Sequence, residues 1–295
     1  MKLLLTGATG FLGSHLTYGL LNSGHDIVIL KRKTSDTWRI KDILNKIRVY
    51  DIDDIDNIDN IFEYEGKFDA VIHTATLYGR NAESDVEILK TNVLFSLKLL
   101  ETASFYNTDS FYNTDSSLSK WIDAYALTKQ QFVEWGKYYA SLNKINFINI
   151  KLEHMYGERD SVTKFVPWLI KQCLDNVLEI PLTAGEQRRD FIHVDDVVRA
   201  YMVLLEKCPR GFNSYDVGTG ECITIRELAE LLVNLTESKS KLNFGALKYR
   251  KNEIMESITD IVPLKKLGWL PMVNREEGLS KIVEFMKLSK YKNNM

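Results

Sequence analysis

Tyr125 and Lys129 stand four residues apart in the stretch YALTK. On a helix that spacing puts both side chains on one face. An ammonium beside a phenol favours the phenolate and lowers the phenol's ordinary pKa of about 10. A tyrosine so placed can give or take a proton near neutral pH. A nearby Ser or Thr hydroxyl would complete such a site by hydrogen-bonding a substrate oxygen. The candidates lie just upstream, in a hexapeptide written twice: FYNTDS spans 105–110 and again 111–116. Tyr/Lys pairs at this spacing also decorate ordinary helix surfaces, so the pair takes its meaning from the rest of the chain.

The start of the chain carries a second chemical signature. TGATGFLGSHL places Gly7, Gly10 and Gly13 directly after an apolar run and at the opening of a helical pattern. A glycine at a tight turn supplies positive φ. A glycine close to the ligand lets backbone N–H groups reach a pyrophosphate, which a helix N-terminus also attracts. The third lets helix and strand pack closely. Thr9, Phe11 and Leu12 complete this turn and are further candidates to touch a dinucleotide; a plain glycine-rich turn is the alternative. About 20 residues on, an NAD site carries an acid for the ribose 2′-hydroxyl. Here the second strand runs instead into Lys31, Arg32 and Lys33. An acid would repel a 2′-phosphate, whereas cations pair with it. The expected cofactor is NADP(H), against the plainer reading of a solvated basic loop.

The elements that position these residues alternate. Residues 2–6, 26–30, 47–52, 69–74 and 146–152 read as strands, mostly continuous apolar runs of the kind buried on both faces. Residues 13–23, 85–103 and 122–142 read as helices between them. Strand and helix in alternation imply right-handed βαβ units and a parallel sheet. After Gly157 the pattern loosens, with helices expected at 164–175, 225–235 and 275–288. The expected fold is α/β: a Rossmann-type doubly wound parallel sheet with a smaller mixed α/β C-terminal substrate domain. The domain boundaries are set at 1–157, with 190–215 crossing back, and 158–295.

The composition fits a soluble globular chain: 295 residues, 45% hydrophobic and 26% charged. A net charge of −2 lacks the basic footprint of a nucleic-acid binder. Cys173, Cys208 and Cys222 show no metal-ligand spacing and read as packing thiols of a cytoplasmic protein, with no metal expected. The apolar run in MKLLLTGATG is too short for a signal peptide, and no stretch approaches the ~20 apolar residues of a membrane span.

GATGFLG together with YALTK resembles the extended short-chain dehydrogenase/reductase family. Further motifs agree in order. Asp51-Ile52 resembles the family's adenine-contacting pair. His73-Thr74-Ala75, followed by Thr76, resembles its HxAA turn beside the cofactor, and Asn92 resembles the Asn of its NVxGT helix. RDFIHVDD (189–196) and LGWLP (267–271) resemble signatures of the nucleotide-sugar branch, in which Arg189 and Arg250 would contact the substrate diphosphate. For Arg189 the alternative is an ion pair with Asp190 or Asp195; for Arg250 it is a solvated surface position. NTDS, KLEHMYG, KFVPWLI, GEQRRDFIHVDDVV and FGALKYRKNEIM bring the chain nearest to the 4-ketoreductases that finish CDP-linked 3,6-dideoxyhexoses for bacterial surface polysaccharides. On that resemblance Tyr78, Asp115, Ser116, Glu153, Lys164 and Phe165 are substrate-site candidates. His154 replaces the branch's usual Asn and either faces the nicotinamide or the sugar or is a buried, backbone-satisfied histidine.

The resemblance also bears on the reaction. The branch's 4,6-dehydratases carry Thr-Asp-Glu; here Ser116, or Ser110 if the first copy serves, stands where their base would be, which disfavours dehydration. Expected is NADPH-dependent reduction of the C4 keto group of a nucleotide-diphosphate sugar, CDP-4-keto-3,6-dideoxyglucose being favoured. Thr114, Tyr125 and Lys129 would be catalytic. The alternative is an epimerase with firmly bound NAD. A homodimer is expected by analogy. Which Thr serves is argued by counting. Thr108 leaves little room after a helix ending near 101 for a turn and a strand, whereas Thr114 leaves enough; the short interval from Thr114 to Tyr125 argues the other way. Thr114 is favoured and Thr108 stays open.

Overall fold

The computed structural model describes residues 1–207 and 209–292, with side chains described to residue 289 at the carboxyl end; Cys208 lies outside the described residues. In chain order the first elements are β1 (Lys2–Thr6), α1 (Phe11–Asn22), β2 (Asp26–Lys31), β3 (Arg48–Asp51), α2 (Ile58–Glu65), β4 (Ala70–His73), α3 (Asp85–Leu89), α4 (Ser96–Phe105), β5 (Ser110–Ser116), α5 (Ala124–Ser141) and β6 (Asn146–Leu152). There follow β7 (His154–Tyr156), α6 (Phe165–Leu174), β8 (Glu179–Leu182), β9 (Arg188–His193), α7 (Val194–Lys207), β10 (Phe212–Val217), β11 (Cys222–Thr224), α8 (Ile225–Thr236), β12 (Lys241–Phe244), β13 (Glu256–Ser257), α9 (Val262–Lys266) and α10 (Arg275–Lys292).

A seven-stranded sheet in the order β10-β6-β5-β4-β1-β2-β3 organises the first unit. Its pairs from β6 to β3 are parallel. The order reverses direction beside β1, between β4 and β2, which is the doubly wound arrangement the alternating pattern implied. Leu3, Leu4 and Leu5 are wholly buried, as a strand covered on both faces must be. One core layer joins Leu4, Val71, Phe111 and Phe147 of the sheet to Phe62, Leu99 and Phe132 of the helices. Phe111 and Phe147 stack with their rings 5.6 Å apart.

The chain forms two compact units, Met1–Leu152 with Tyr201–Asp216, and Glu153–Ala200 with the chain from Val217 on. The return to the first unit begins at Tyr201, inside α7. Within the second unit β9 pairs with β7 and β13 in parallel and with β11 antiparallel. Leu169 and Ile170 of α6, Leu228 and Leu232 of α8, and Leu279 and Ile282 of α10 share its core. Cys173 is buried and Cys222 half-buried. No helix among the described residues is long and apolar enough to cross a membrane.

The expected helix over 85–103 is interrupted. Residues Lys90–Phe95 form a π turn between α3 and α4. The extra residue of a π turn shifts the helix face and often marks a functional position.

Candidate active site

The candidate residues of the first unit gather at the carboxyl ends of its strands, where open α/β sheets bind ligands. Thr6 ends β1, Lys31 ends β2, Asp51 ends β3, His73 ends β4, and Thr114 to Ser116 end β5.

The glycine turn fits a pyrophosphate. Gly7 holds φ +73°, and a Cβ there would meet Thr74 Oγ1 at 2.5 Å and the Ala75 nitrogen at 2.6 Å. A Cβ on Gly13 would meet the Gly7 carbonyl oxygen at 2.1 Å, so α1 packs directly on the turn. Gly10 is the N-cap of α1; its N–H donates to the Gly7 carbonyl at 2.9 Å. A Cβ on Gly10 would meet only that same oxygen, at 3.2 Å, so the face beyond it is open. No acidic side chain occupies the first turn of α1, which leaves its amide ends free to receive an anion. Thr9, Phe11 and Leu12 lie in this turn, with Leu12 buried.

Behind the turn His73 links two elements: Nδ1 bonds Thr6 Oγ1 at 2.7 Å and Nε2 bonds Ser96 Oγ at 2.8 Å. Burial lowers its pKa well below the ordinary value, so it serves as a neutral strut. Thr74 Oγ1 donates to the Thr6 carbonyl at 2.8 Å, tying the β4 loop to the turn. Asn92, in the π turn, spends its amide on the protein. Its Oδ1 accepts from the Leu77 N–H at 2.8 Å and Thr76 Oγ1 at 3.1 Å. Its Nδ2 donates to the Leu77 carbonyl at 2.9 Å and Thr128 Oγ1 at 3.1 Å. The loop carrying Ala75 and Thr76 is thereby clamped to the helix that carries Tyr125 and Lys129.

At the other end, Lys31 is ion-paired with the Asp51 carboxylate, Ile52 is buried, and Arg32 is exposed. A cation the sequence reading passed over sits nearby. Arg39 is half-buried, stacks on Trp38 and points Nη1 at the Thr9 carbonyl, 3.4 Å away. No motif marks it; only the fold returns residues 38–46 to the glycine turn.

The doubled hexapeptide is resolved by the backbone. Phe105 of the first copy ends α4; Asn107 turns the chain with φ +57°. Thr108 follows, its N–H bonded to the Ala103 carbonyl at 2.9 Å and its buried hydroxyl without a hydrogen-bond partner. The second copy lies in β5, with Thr114 opposite Ile150 of β6. Turn first and strand second is the arrangement that counting favoured. Thr114 Oγ1 lies 2.6 Å from the Tyr201 hydroxyl. Asp115 is buried and accepts from Asn149 Nδ2 at 2.9 Å. Asn149 in turn accepts from Asn113 at 2.8 Å, a polar ladder across two strands. The Ser116 hydroxyl accepts from the Leu118 N–H at 3.2 Å.

Tyr125 opens α5, whose N-cap Asp123 accepts from the Ala126 N–H at 2.8 Å. The Tyr78 ring lies over it at 4.9 Å, and the Arg80 guanidinium covers Tyr78 at 5.0 Å. The protonation of the pair differs from expectation. Burial raises the Tyr125 pKa, and the charge of Asp115 adds to the rise, with Arg80 opposing. Lys129 is itself buried, and burial lowers its pKa to about 8 with Asp115 opposing. Desolvation is the largest influence on both groups. Asp115 acts on Tyr125, Lys129 and Tyr201 alike, so these groups share one electrostatic neighbourhood.

In the second unit Arg189 is buried in β9 and donates to Glu253 at 2.7 Å and to the Arg188 carbonyl at 2.9 Å. Its partner is thus Glu253, neither of the aspartates weighed from sequence. Asp190 instead accepts from the Thr219 and Gly220 N–H groups, and Asp196 from those of Met272 and Val273. Arg250 is exposed. Glu153 is buried and accepts from Ser257 Oγ at 2.8 Å. His154 is exposed rather than buried, 3.3 Å from Glu153. Lys164 is the N-cap of α6 and Phe165 its first residue, both half-buried.

Known proteins share this architecture. The chain is 38% identical to a CDP-abequose synthase of Salmonella muenchen, across 96% of this chain and 97% of that one. It is 36% identical to a CDP-abequose synthase of Salmonella typhimurium, across 95% and 97%. Among solved structures, a UDP-glucose 4-epimerase of Thermotoga maritima superposes with a TM-score of 0.88 at 24% identity, covering 98% of this chain and all of that one. Residues 3–218 match the family model described as "NAD dependent epimerase/dehydratase family". With the glycine turn, the Tyr/Lys helix and the doubly wound sheet already in place, the chain belongs to the NAD-dependent epimerase/dehydratase family, the extended short-chain dehydrogenase/reductases.

Proposed function

We propose that the protein is a nucleotide-sugar 4-ketoreductase that uses NADPH to reduce CDP-4-keto-3,6-dideoxyglucose to CDP-abequose or its C4 epimer, CDP-paratose. The observation that carries the reading is the end of β5 beside α5: a hydroxyl, a phenol and an ammonium, with Ser116 after Asp115 where dehydration would need a base. The likeness to two CDP-abequose synthases over nearly the whole chain supports it.

Reduced nicotinamide supplies the hydride when bound. The chain supplies the proton and the field. Net reduction needs an acid at the carbonyl oxygen, and a phenol whose pKa is raised by burial keeps its proton at working pH. Thr114 donates a hydrogen bond to the same oxygen. Lys129 holds the nicotinamide ribose and, when charged, favours the oxyanion side of the transfer. Arg189 and Arg250 take the diphosphate, for which forked guanidinium groups are suited. The exposed Trp135 and Tyr138 on α5 support a homodimer through that helix. A cytoplasmic location follows from the substrate class.

Following NADPH consumption with CDP-4-keto-3,6-dideoxyglucose, and the product by NMR, tests this directly. No turnover of any nucleotide-linked 4-keto sugar would defeat it. The second reading, an epimerase, is favoured by the match of residues 3–218 to the epimerase/dehydratase family model. Retained NAD in the purified protein, with no net use of NADPH, would decide for it.

The threonines give a sharper check. Thr114→Val is expected to lower kcat by about 10²-fold, the scale of one lost oxyanion donor. Thr108→Val should leave kcat within about twofold and stability undiminished, because a buried hydroxyl without a partner is being replaced by a methyl of the same shape. The reverse pattern would move the active threonine back one repeat.

The cofactor preference rests on Arg32, since Lys31 is engaged with Asp51, and on Arg39 beside the glycine turn. A charged hydrogen bond contributes about 1.5–3 kcal/mol, so Arg32→Ala should raise KM for NADPH about tenfold or more and leave that for NADH unchanged. A wild-type preference for NADH would sink this assignment.

A further inference from the structure

The residue that makes Thr114 usable is far from it in sequence. Tyr201 sits in α7, at the point where the chain returns to the first unit. Its side chain is wholly buried, and its hydroxyl lies 2.6 Å from Thr114 Oγ1. Thr114 is only half-buried, so its hydroxyl has a dry side facing Tyr201 and a wetter side. A threonine hydroxyl carries one hydrogen and two acceptor positions. If that hydrogen turned inward, Thr114 would present only an acceptor to a substrate carbonyl, which needs a donor.

We propose that Tyr201 is a positioning residue: its phenol donates to Thr114 Oγ1, so that the Thr114 hydrogen is left to point at the substrate's carbonyl oxygen. This rests on the reading of Thr114 as the hydroxyl that polarises the keto group. The direction follows from the surroundings. Tyr201 stays protonated because burial raises its pKa by more than its hydrogen bond with Thr114 lowers it, and the charge of Asp115 adds to the rise. A protonated phenol in that place must donate or leave a buried O–H unpaired, at a cost of about 1–3 kcal/mol. Two hydroxyls in series also polarise one another, which strengthens the outer donor. Neighbouring contacts hold the arrangement. Tyr112 of β5 donates to the Leu204 carbonyl at 3.2 Å, fixing this part of α7 against the strand that carries Thr114.

The test is a double-mutant cycle in the full chain, assayed with NADPH and CDP-4-keto-3,6-dideoxyglucose. Tyr201→Phe keeps the ring and removes only the donor. It should lower kcat about five- to tenfold, the scale of one net hydrogen bond, with KM for NADPH unchanged. In a Thr114→Val background the same change should cost nothing, because the hydroxyl it acts through is gone. Thr114→Ser, which keeps the hydroxyl, should retain the full Tyr201→Phe penalty.

A Tyr201→Phe penalty that persists undiminished in the Thr114→Val background would overturn the proposal, since a purely structural role is indifferent to the threonine. So would wild-type kcat in Tyr201→Phe while Thr114→Val remains impaired; the catalytic role of Thr114 would then stand without Tyr201. If Thr114→Val itself is fully active, or the wild type does not turn over, the underlying reading falls and the proposal falls with it.

Discussion

Tyr125→Phe is expected to lower kcat for the keto sugar by about 10³-fold, within the range of a lost general acid, while NADPH binds within about twofold of wild type. The substitution removes one oxygen and little else. The ring stays under Tyr78, whose centroid is 4.9 Å away, and Asp123 still caps α5 through the Ala126 N–H. Lys129 keeps its place on the helix, so the ribose contact assigned to it survives. The loss therefore falls on kcat and not on cofactor affinity, the mark of an interaction made only in the transition state. The pH dependence is part of the expectation. Burial raises the phenol's pKa, so the acid form persists through the neutral range and activity should not fall there from loss of that proton. Retention of wild-type kcat by Tyr125→Phe would remove the phenol from the mechanism.

Much of this fold could be read from period and punctuation. The expected strands at 2–6 and 146–152 coincide with β1 and β6, because fully buried parallel strands are written as unbroken apolar runs. The repeat at 105–116 was readable by counting, since a helix, a turn and a strand each need a minimum length. The π turn at Lys90–Phe95 was not, because it leaves the apolar pattern of a helix almost unchanged. Nor were the partners of the signature residues. RDFIHVDD and LGWLP stand some 70 residues apart, yet Trp269 Nε1 donates to the Asp196 carbonyl at 3.1 Å and the Asp196 side chain accepts from Met272 and Val273. One half of each signature is thus a strut, which a motif match cannot separate from a ligand contact. Tyr201 and Arg39 were hidden for a different reason. Each lies in a segment whose amphipathic pattern already accounts for it, and only tertiary return brings it to Thr114 or to the glycine turn. The spacing of Tyr125 and Lys129 reports their proximity but not the burial that raises the pKa of the one and lowers that of the other.

The glycine turn offers a way to separate folding from binding. Gly13→Ala should both destabilise the protein and abolish measurable NADPH binding. Its Cβ would meet the Gly7 carbonyl oxygen at 2.1 Å and the Ala8 Cα at 2.9 Å. These are backbone atoms, so the turn itself must move. Overpacking of this kind costs about 1–3 kcal/mol, which for a domain of this size lowers Tm by roughly 2–4 °C per kcal/mol. Displacing the Gly7 carbonyl also strains the bond it accepts from the Gly10 N–H. Gly10→Ala is the informative contrast. Gly10 holds φ −77°, which alanine adopts freely, and its Cβ would meet nothing closer than 3.2 Å. Its Tm should fall much less than that of Gly13→Ala, since the Gly7 carbonyl has to give by only a few tenths of an ångström. The open face beyond Gly10 is nevertheless where a pyrophosphate would approach the amide ends of α1. A methyl there should weaken NADPH by about 10²-fold, about 2.7 kcal/mol of lost contact. Isothermal titration of both variants, beside thermal unfolding, reads the two effects separately. A Gly10→Ala protein that binds NADPH like wild type would mean that the open face of the turn is not the phosphate cradle.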